Sequence, residues 1–389
     1  MLESKVFKYL LSLALTIGNL CCHFYINVVS MLNLHIVTEG RKGISKIVIA
    51  HKENPVFLKR PFTTFFTEFI AKSININIEI AFILFNYMLI FINGLLIYKL
   101  TYIIFKNHKT AIISIILFHS TFSVLFSFFP PIYTYDEPLQ YFLIFLSLIY
   151  LTQEKWTLFI LSFSLSIICR ESSLILIPGI FIIAQLPKQK KILLLSIPVL
   201  FYSTFLILYS KTYEINNELK NDFTSRLQYL KHNFQNYKYT LETITSFYLI
   251  SILPIYCIII SKLKTSINTI KKIKIAFIIT LLINSIIVLA TTKSREARLF
   301  VLPLFFIWPT LSNIIYIEIK HLSNCKINLN TFAIFSILSV LNFYISYYVY
   351  ETTIGKKNEN YFNEYLFCLN TILILHYSFV YSQKIKKIR

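Results

Sequence analysis

Residues 109–152 read KTAIISIILFHSTFSVLFSFFPPIYTYDEPLQYFLIFLSLIYLT, two apolar runs on either side of a polar break that holds an acidic pair. A bilayer core takes about 20 apolar residues of helix per crossing. The first run, up to Phe129, meets that length; Pro130-Pro131 then stops the helix, and Pro138 opens the next at its first turn. Asp136 and Glu137 lie between the two. A carboxyl pair at the edge of a bilayer is costly to desolvate and adds no packing, so it marks a substrate, ion or proton site. Asp136 is also one of only two aspartates among 18 acidic residues.

The apolar pattern repeats along the chain. Its 389 residues are 56% hydrophobic, 16% aromatic and 14% charged, with a mean hydropathy of +0.63. Soluble domains do not have this composition. An all-α, polytopic transmembrane helical bundle is expected, a single membrane domain over residues 1–389. The 20-residue ruler gives about twelve membrane segments (10–13), at 7–31, 77–98, 109–129, 139–152, 156–169, 173–186, 190–209, 242–262, 273–292, 299–317, 330–350 and 361–382. The first follows Lys5 as a signal peptide would, but it is long for one and lacks a small-residue cleavage site, so a membrane helix is expected.

The net charge of +20 does not point to nucleic acid, because Lys and Arg fall in short clusters between apolar runs. They read as topology signals and as contacts to anionic membrane lipids. Lys8, Lys99, Lys106, Lys109, Lys155, Lys188, Lys190, Lys191, Lys271, Lys272, Lys274, Lys320 and Lys386 alternate onto one side through all twelve segments. That places both termini in the cytoplasm of a multi-pass protein, in a bacterial inner membrane or, in a eukaryote, the endoplasmic reticulum. The other side receives long external loops at 32–76 and 210–241, and short ones holding Asp136-Glu137, Arg170-Glu171, Arg295-Glu296-Ala297-Arg298 and Glu351. Within the first long loop, PFTTFFTEFI at 61–70 mixes aromatic and polar residues as an interfacial helix does.

Each polar motif has a structural and a functional reading. Asp136 can cap the helix that Pro138 opens, with Glu137 favoured by the dipole. Alternatively these carboxylates bind a divalent ion or take a proton from an acceptor hydroxyl, while Tyr133 and Tyr135 pack against a sugar or headgroup. Arg170-Glu171 interrupts the apolar stretch from Trp156 to Leu186. It is expected to form a mutual ion pair or a water-facing break, or to offer Arg170 to a phosphate. Arg295 and Arg298 are spaced i, i+3; in a helical turn they share a face and, with Lys293, make a diphosphate clamp or, alternatively, an interfacial anchor cluster. The eight histidines and six cysteines show no metal or disulfide spacing, and no Walker, GxGxxG or GxSxG motif occurs.

Short helices, a long first external loop with an aromatic juxtamembrane helix, an acidic motif in the next external loop and a later external Arg cluster together resemble the GT-C superfamily of integral-membrane glycosyltransferases. The resemblance implies a lipid-linked sugar donor, a polyprenyl phosphate or diphosphate, used on the non-cytoplasmic face. It also implies transfer to a lipid, glycan or protein acceptor. The family has an Asp early in the first external loop as base, and this chain has none there; Glu39 is the nearest acid. The resemblance therefore makes Asp136, Glu137 and Glu39 the candidate catalytic acids, and Arg170, Glu171, Arg295, Glu296, Arg298 and Tyr135 the candidate substrate and phosphate contacts. A polysaccharide polymerase, lipid-linked glycan flippase or other transporter is the alternative; matching half-repeats that would support a transporter are not found.

Overall fold

A computed structural model describes residues 2–29, 45–125, 134–213, 226, 228–260, 268–322, 329–350, 352 and 362–388. Every regular element among them is helical. The helices that position the site are α1 (Leu2–Val29), α2 (45–53), α3 (Pro61–Ile74), α4 (Ile78–Phe105), α5 (His108–Ser120), α6 (Glu137–Thr152), α7 (Trp156–Cys169) and α8 (Ile177–Ile183). They continue with α9 (Lys188–Tyr213), α10 (Tyr237–Ile260), α11 (Asn268–Thr291), α12 (Leu304–Leu322), α13 (Leu329–Phe343) and α14 (Phe362–Ile388).

Five stretches are long and apolar enough to cross a bilayer: Ile78–Phe105, Lys188–Thr212, Tyr237–Ile260, Ile270–Thr291 and Thr331–Tyr348. The chain is thus an integral, multi-pass membrane protein. Val6–Cys22, Glu137–Thr152, Trp156–Cys169 and Glu171–Ile183 are shorter apolar helices. Several expected segments are broken. The stretch 173–186 divides into a 3₁₀ turn, Glu171–Leu176, and the seven-residue α8. The stretch 299–317 starts as a 3₁₀ turn over Ala297–Phe300, and α12 begins after Pro303. Proline near a helix start forces this arrangement, since it cannot donate to a preceding turn. The expected loop 210–241 is partly helical, for α9 runs to Tyr213, a short helix spans Tyr229–Asn233 and α10 starts at Tyr237.

Aromatic packing holds the centre. Phe145 of α6 lies 4.7 Å from Phe305 and 5.9 Å from Trp308 of α12, and Phe118 of α5 meets Trp308 edge-on at 5.5 Å, centroid to centroid. Such pairs add about 0.5–1.5 kcal/mol each beyond burial. Gly94 is the notch that lets α4 approach α1 and α5, because a Cβ there would collide with Ser12 and His119. On the far flank, Tyr248 donates to Asn370 at 2.7 Å and Asn370 to Asn342 at 3.1 Å, joining α10, α14 and α13. Lipid-embedded helices lack a hydrophobic drive to associate, and side-chain amides bonding across them supply part of it.

The helix ends fall into two sets. One holds the starts of α3, α4, α6, α10 and α12 and the ends of α7 and α11. The other collects the lysine-bearing ends, where Lys8 of α1 sits 5.0 Å over the Tyr98 ring of α4 and Lys191 of α9 donates to the Phe181 carbonyl of α8 at 2.9 Å.

A candidate site of paired charges at one end of the bundle

Glu137 occupies the first turn of α6, where the unpaired backbone N–H groups favour a carboxylate. Its Oε2 accepts the Tyr135 backbone N–H at 3.1 Å. Its Oε1 takes two guanidinium groups: Arg298 donates through Nη1 at 2.8 Å, and Arg170 closes on the same oxygen. Arg170 follows the last turn of α7 in extended backbone, and Arg298 lies in the 3₁₀ turn before α12, so three elements meet on one carboxylate. Glu296 then accepts from Arg298 Nη2 at 2.7 Å and Nε at 3.0 Å.

A second pair adjoins the first. Arg60, just ahead of α3, forks onto Glu171 through Nε at 2.8 Å and Nη2 at 2.5 Å. Lys59 Nζ stands 3.3 Å from Glu171 Oε1. The Nη1 of Arg60 reaches 3.8 Å from Asp136 Oδ2. Asp136 is only 2% exposed, and its Oδ1 has no hydrogen-bond partner. Burial pushes its carboxyl up to about 7, against the pull of Arg60 and with the help of the Glu137 charge.

Lys59, Arg60, Arg170 and Arg298 thus face Asp136, Glu137, Glu171 and Glu296, four cations against four carboxylates in one mostly enclosed cluster. Desolvated charges persist only when paired and hydrogen-bonded, and the network meets that condition everywhere except at Asp136 Oδ1. Neutral groups enclose it. Gln140, one turn along α6, donates to Ser172 at 3.0 Å and Ser173 at 2.9 Å, and the Cys169 thiol approaches the Asp136 carbonyl at 3.6 Å.

Several expectations are corrected by this geometry. Asp136 precedes α6 but makes no side-chain cap: Pro138 in the first turn has no N–H to offer, and the carboxylate faces Arg60 instead. Arg170 and Glu171 do not pair with each other, because the chain reverses between α7 and the 3₁₀ turn and sends one to Glu137 and the other to Arg60. Arg295 and Arg298 do not share a face. The backbone around Glu296 is extended, so Arg295 turns to Glu242 of α10, 3.5 Å away, and lies 4.1 Å over the Tyr239 ring. Tyr135 is buried rather than presented to a ligand: its ring stacks on His51 at 3.6 Å and Phe82 at 5.2 Å, and its hydroxyl meets Thr64 at 2.8 Å. Burial holds the His51 imidazole down at about 4, so it is neutral there. Glu39, Tyr133 and Glu351 lie outside the described residues.

Sequence reading passed over Lys59 and Arg60 as members of the cluster, taking them for lipid contacts. A signal was present, since an arginine directly before Pro61-initiated α3 opposes that helix's dipole and so serves another partner. It also missed Asn233, which is fully buried and donates to the carbonyls of Leu289 at 3.0 Å and Thr292 at 2.8 Å, fixing the loop that carries Arg295 and Arg298. Among the described residues no three His, Cys, Asp or Glu side chains are placed to hold a metal ion.

No protein-family model, curated protein or solved structure matches the chain.

Proposed function

We propose that this protein is a membrane glycosyltransferase of GT-C type that moves a sugar from a polyprenyl-phosphate-linked donor to a lipid, glycan or protein acceptor. The observation that carries the reading is Asp136: a buried carboxylate with one oxygen unpartnered, raised to about 7, beside a cluster of guanidinium groups. A general base works best when its pKa lies near the working pH, and an arginine cluster beside it stabilises a phosphate leaving group as charge grows on it. In this reading the short helices also enter the bilayer, giving about twelve segments with both termini cytoplasmic, and the charged end faces the non-cytoplasmic side.

Asp136 takes the proton from the acceptor hydroxyl. The donor phosphate draws Arg298 and Arg170 from Glu137, which the Tyr135 N–H and the dipole of α6 continue to hold. Arg60 favours the ionised Asp136 before each transfer. As Asp136 takes the proton, the acceptor oxygen bonds the anomeric carbon and the sugar–phosphate C–O bond breaks, its electron pair leaving on the phosphate. A flippase reading is less well supported, because it calls for charge deep within the helices, and the described cluster sits at their ends.

Purified protein assayed with radiolabelled polyprenyl-phosphate sugars should transfer label, and Asp136→Asn should lower the rate at least a hundredfold while folding normally, since general-base removal costs about 10²–10⁴. Undiminished turnover in Asp136→Asn would sink the reading.

A further inference from the structure

We infer that the lysine-bearing end of the bundle holds one anionic phospholipid, with an acyl chain in an internal cavity and its phosphate among lysines. This site stands apart from the charged cluster: α6 separates Glu137 from Thr152 by 15 residues, about 22 Å at the helical rise.

The cavity has a volume of about 220 Å³ and lies where α4, α6, α8, α11 and α12 approach one another. Leu100, Ile104, Leu151, Ile273, Phe305 and Phe306 make most of its wall apolar. Thr152, Glu154 and Gln185 add polar atoms to the wall, so the slot suits an amphipathic guest whose hydrocarbon part lies against the Leu, Ile and Phe side chains.

Charge identifies the headgroup. The lining residues are chain neighbours of lysines: Phe105 precedes Lys106, Glu154 precedes Lys155, and Lys271 and Lys272 lie between Ile270 and Ile273. Lys106, Lys155 and Lys271 are exposed, and no ion pair is formed by these four lysines among the described residues. Lys272 also lies near enough to Lys191 for their charges to repel. Glu154 is the one carboxylate of the lining and leaves the rim strongly positive. Lysines next in sequence to the residues that line a mainly apolar slot complement a phosphodiester that carries a hydrocarbon chain, and a bilayer surface presents such molecules. A zwitterionic lipid would place its own cation against the lysines.

Native mass spectrometry of the full chain, released from detergent with phosphatidylglycerol or phosphatidylcholine added, tests this. One phosphatidylglycerol per chain should be retained, at least tenfold in preference to phosphatidylcholine. The triple variant Lys155→Gln, Lys271→Gln, Lys272→Gln alters exposed or half-exposed residues and should lower retention on the order of tenfold; arginine at the same positions should restore it. Ile104→Trp should displace the lipid with every lysine intact. Glycerol phosphate, which carries the charge without the chain, should not compete. Equal retention of the two lipids, full retention by the glutamine triple variant, or displacement by glycerol phosphate would each overturn the assignment. None of these outcomes bears on the proposed transferase reaction, whose readout is turnover.

Discussion

At one end of the bundle, Arg60, Arg170 and Arg298 each meet a carboxylate and are largely enclosed; at the other, Lys106, Lys155 and Lys271 are exposed with no ion pair among the described residues. The two ends carry cations of similar number under different physics. Enclosed guanidinium groups survive only because four carboxylates neutralise them, and their positions are fixed to within hydrogen-bond length. Exposed ammonium groups keep their water and need no partner, so they set charge without setting geometry. Among the described residues the paired end is where charged groups are held in fixed geometry.

The strongest way to break this contrast is to remove one cation from each end. Arg170→Ala leaves Glu137 buried with one guanidinium fewer, and stripping one partner from a buried pair costs about 3–5 kcal/mol. Lys155→Ala removes an exposed charge and should change stability by less than about 0.5 kcal/mol. Thermal unfolding in detergent micelles reads both. If Arg170→Ala unfolds within about 1 kcal/mol of the parent, the paired end is not the rigid one. Joint replacement by Glu137→Leu and Arg170→Met should recover much of the loss, since well-packed apolar side chains often match a buried ion pair in stability.

Asp136 sharpens the contrast by pH. Burial raises its carboxyl from 3.8 to about 7. Below the lower value both folded and unfolded chains hold the proton, and stability from this group is full. Between the two values the unfolded chain releases it while the folded chain keeps it, so stability falls as pH rises through the window and levels off above about 7. The effect should amount to a few kcal/mol, and Asp136→Asn should flatten it. Transfer should run the opposite way, rising as Asp136 ionises near pH 7. Stability and activity moving together across that window would remove Asp136 from both roles.

Much of this fold is legible in the chain because apolar length is a local property. Runs such as 77–98 and 190–209 announce their helices, and the lysines announce one end. The broken segments were less legible, for a run such as 299–317 looks continuous until Pro303 is weighed against helix geometry. The site was legible in part. Rare charges in apolar surroundings drew attention to Asp136, Glu137, Arg170, Glu171 and Arg298, because the cost of burying charge is readable from composition. Partner choice was not, since Arg60 and Glu171 lie 111 residues apart and nothing in either motif names the other. Adjacent motif members diverged for the same reason: tertiary contacts, not spacing, decide where a turn aims its side chains.

Arg295 and Arg298 give a smaller expected loss than Arg170 and the finest division within the paired end. They are three residues apart, and a shared face would make them one clamp. Instead Arg295 is a quarter exposed, sits over Tyr239 and is 3.5 Å from Glu242, whereas Arg298 bonds Glu137 and Glu296. Arg295→Ala should therefore cost about 1–2 kcal/mol, the size of a partly desolvated cation–π contact with one long ion pair. Their ion pairs go to different carboxylates, so the loss in a double Arg295→Ala, Arg298→Ala variant should equal the sum of the single losses within about 0.5 kcal/mol. A donor diphosphate held by both arginines would couple them, and ligand-induced stabilisation measured across the four variants would then be less than additive. Additivity with donor present confines the phosphate to the Arg298 side, where Arg170, Arg60 and Asp136 already stand.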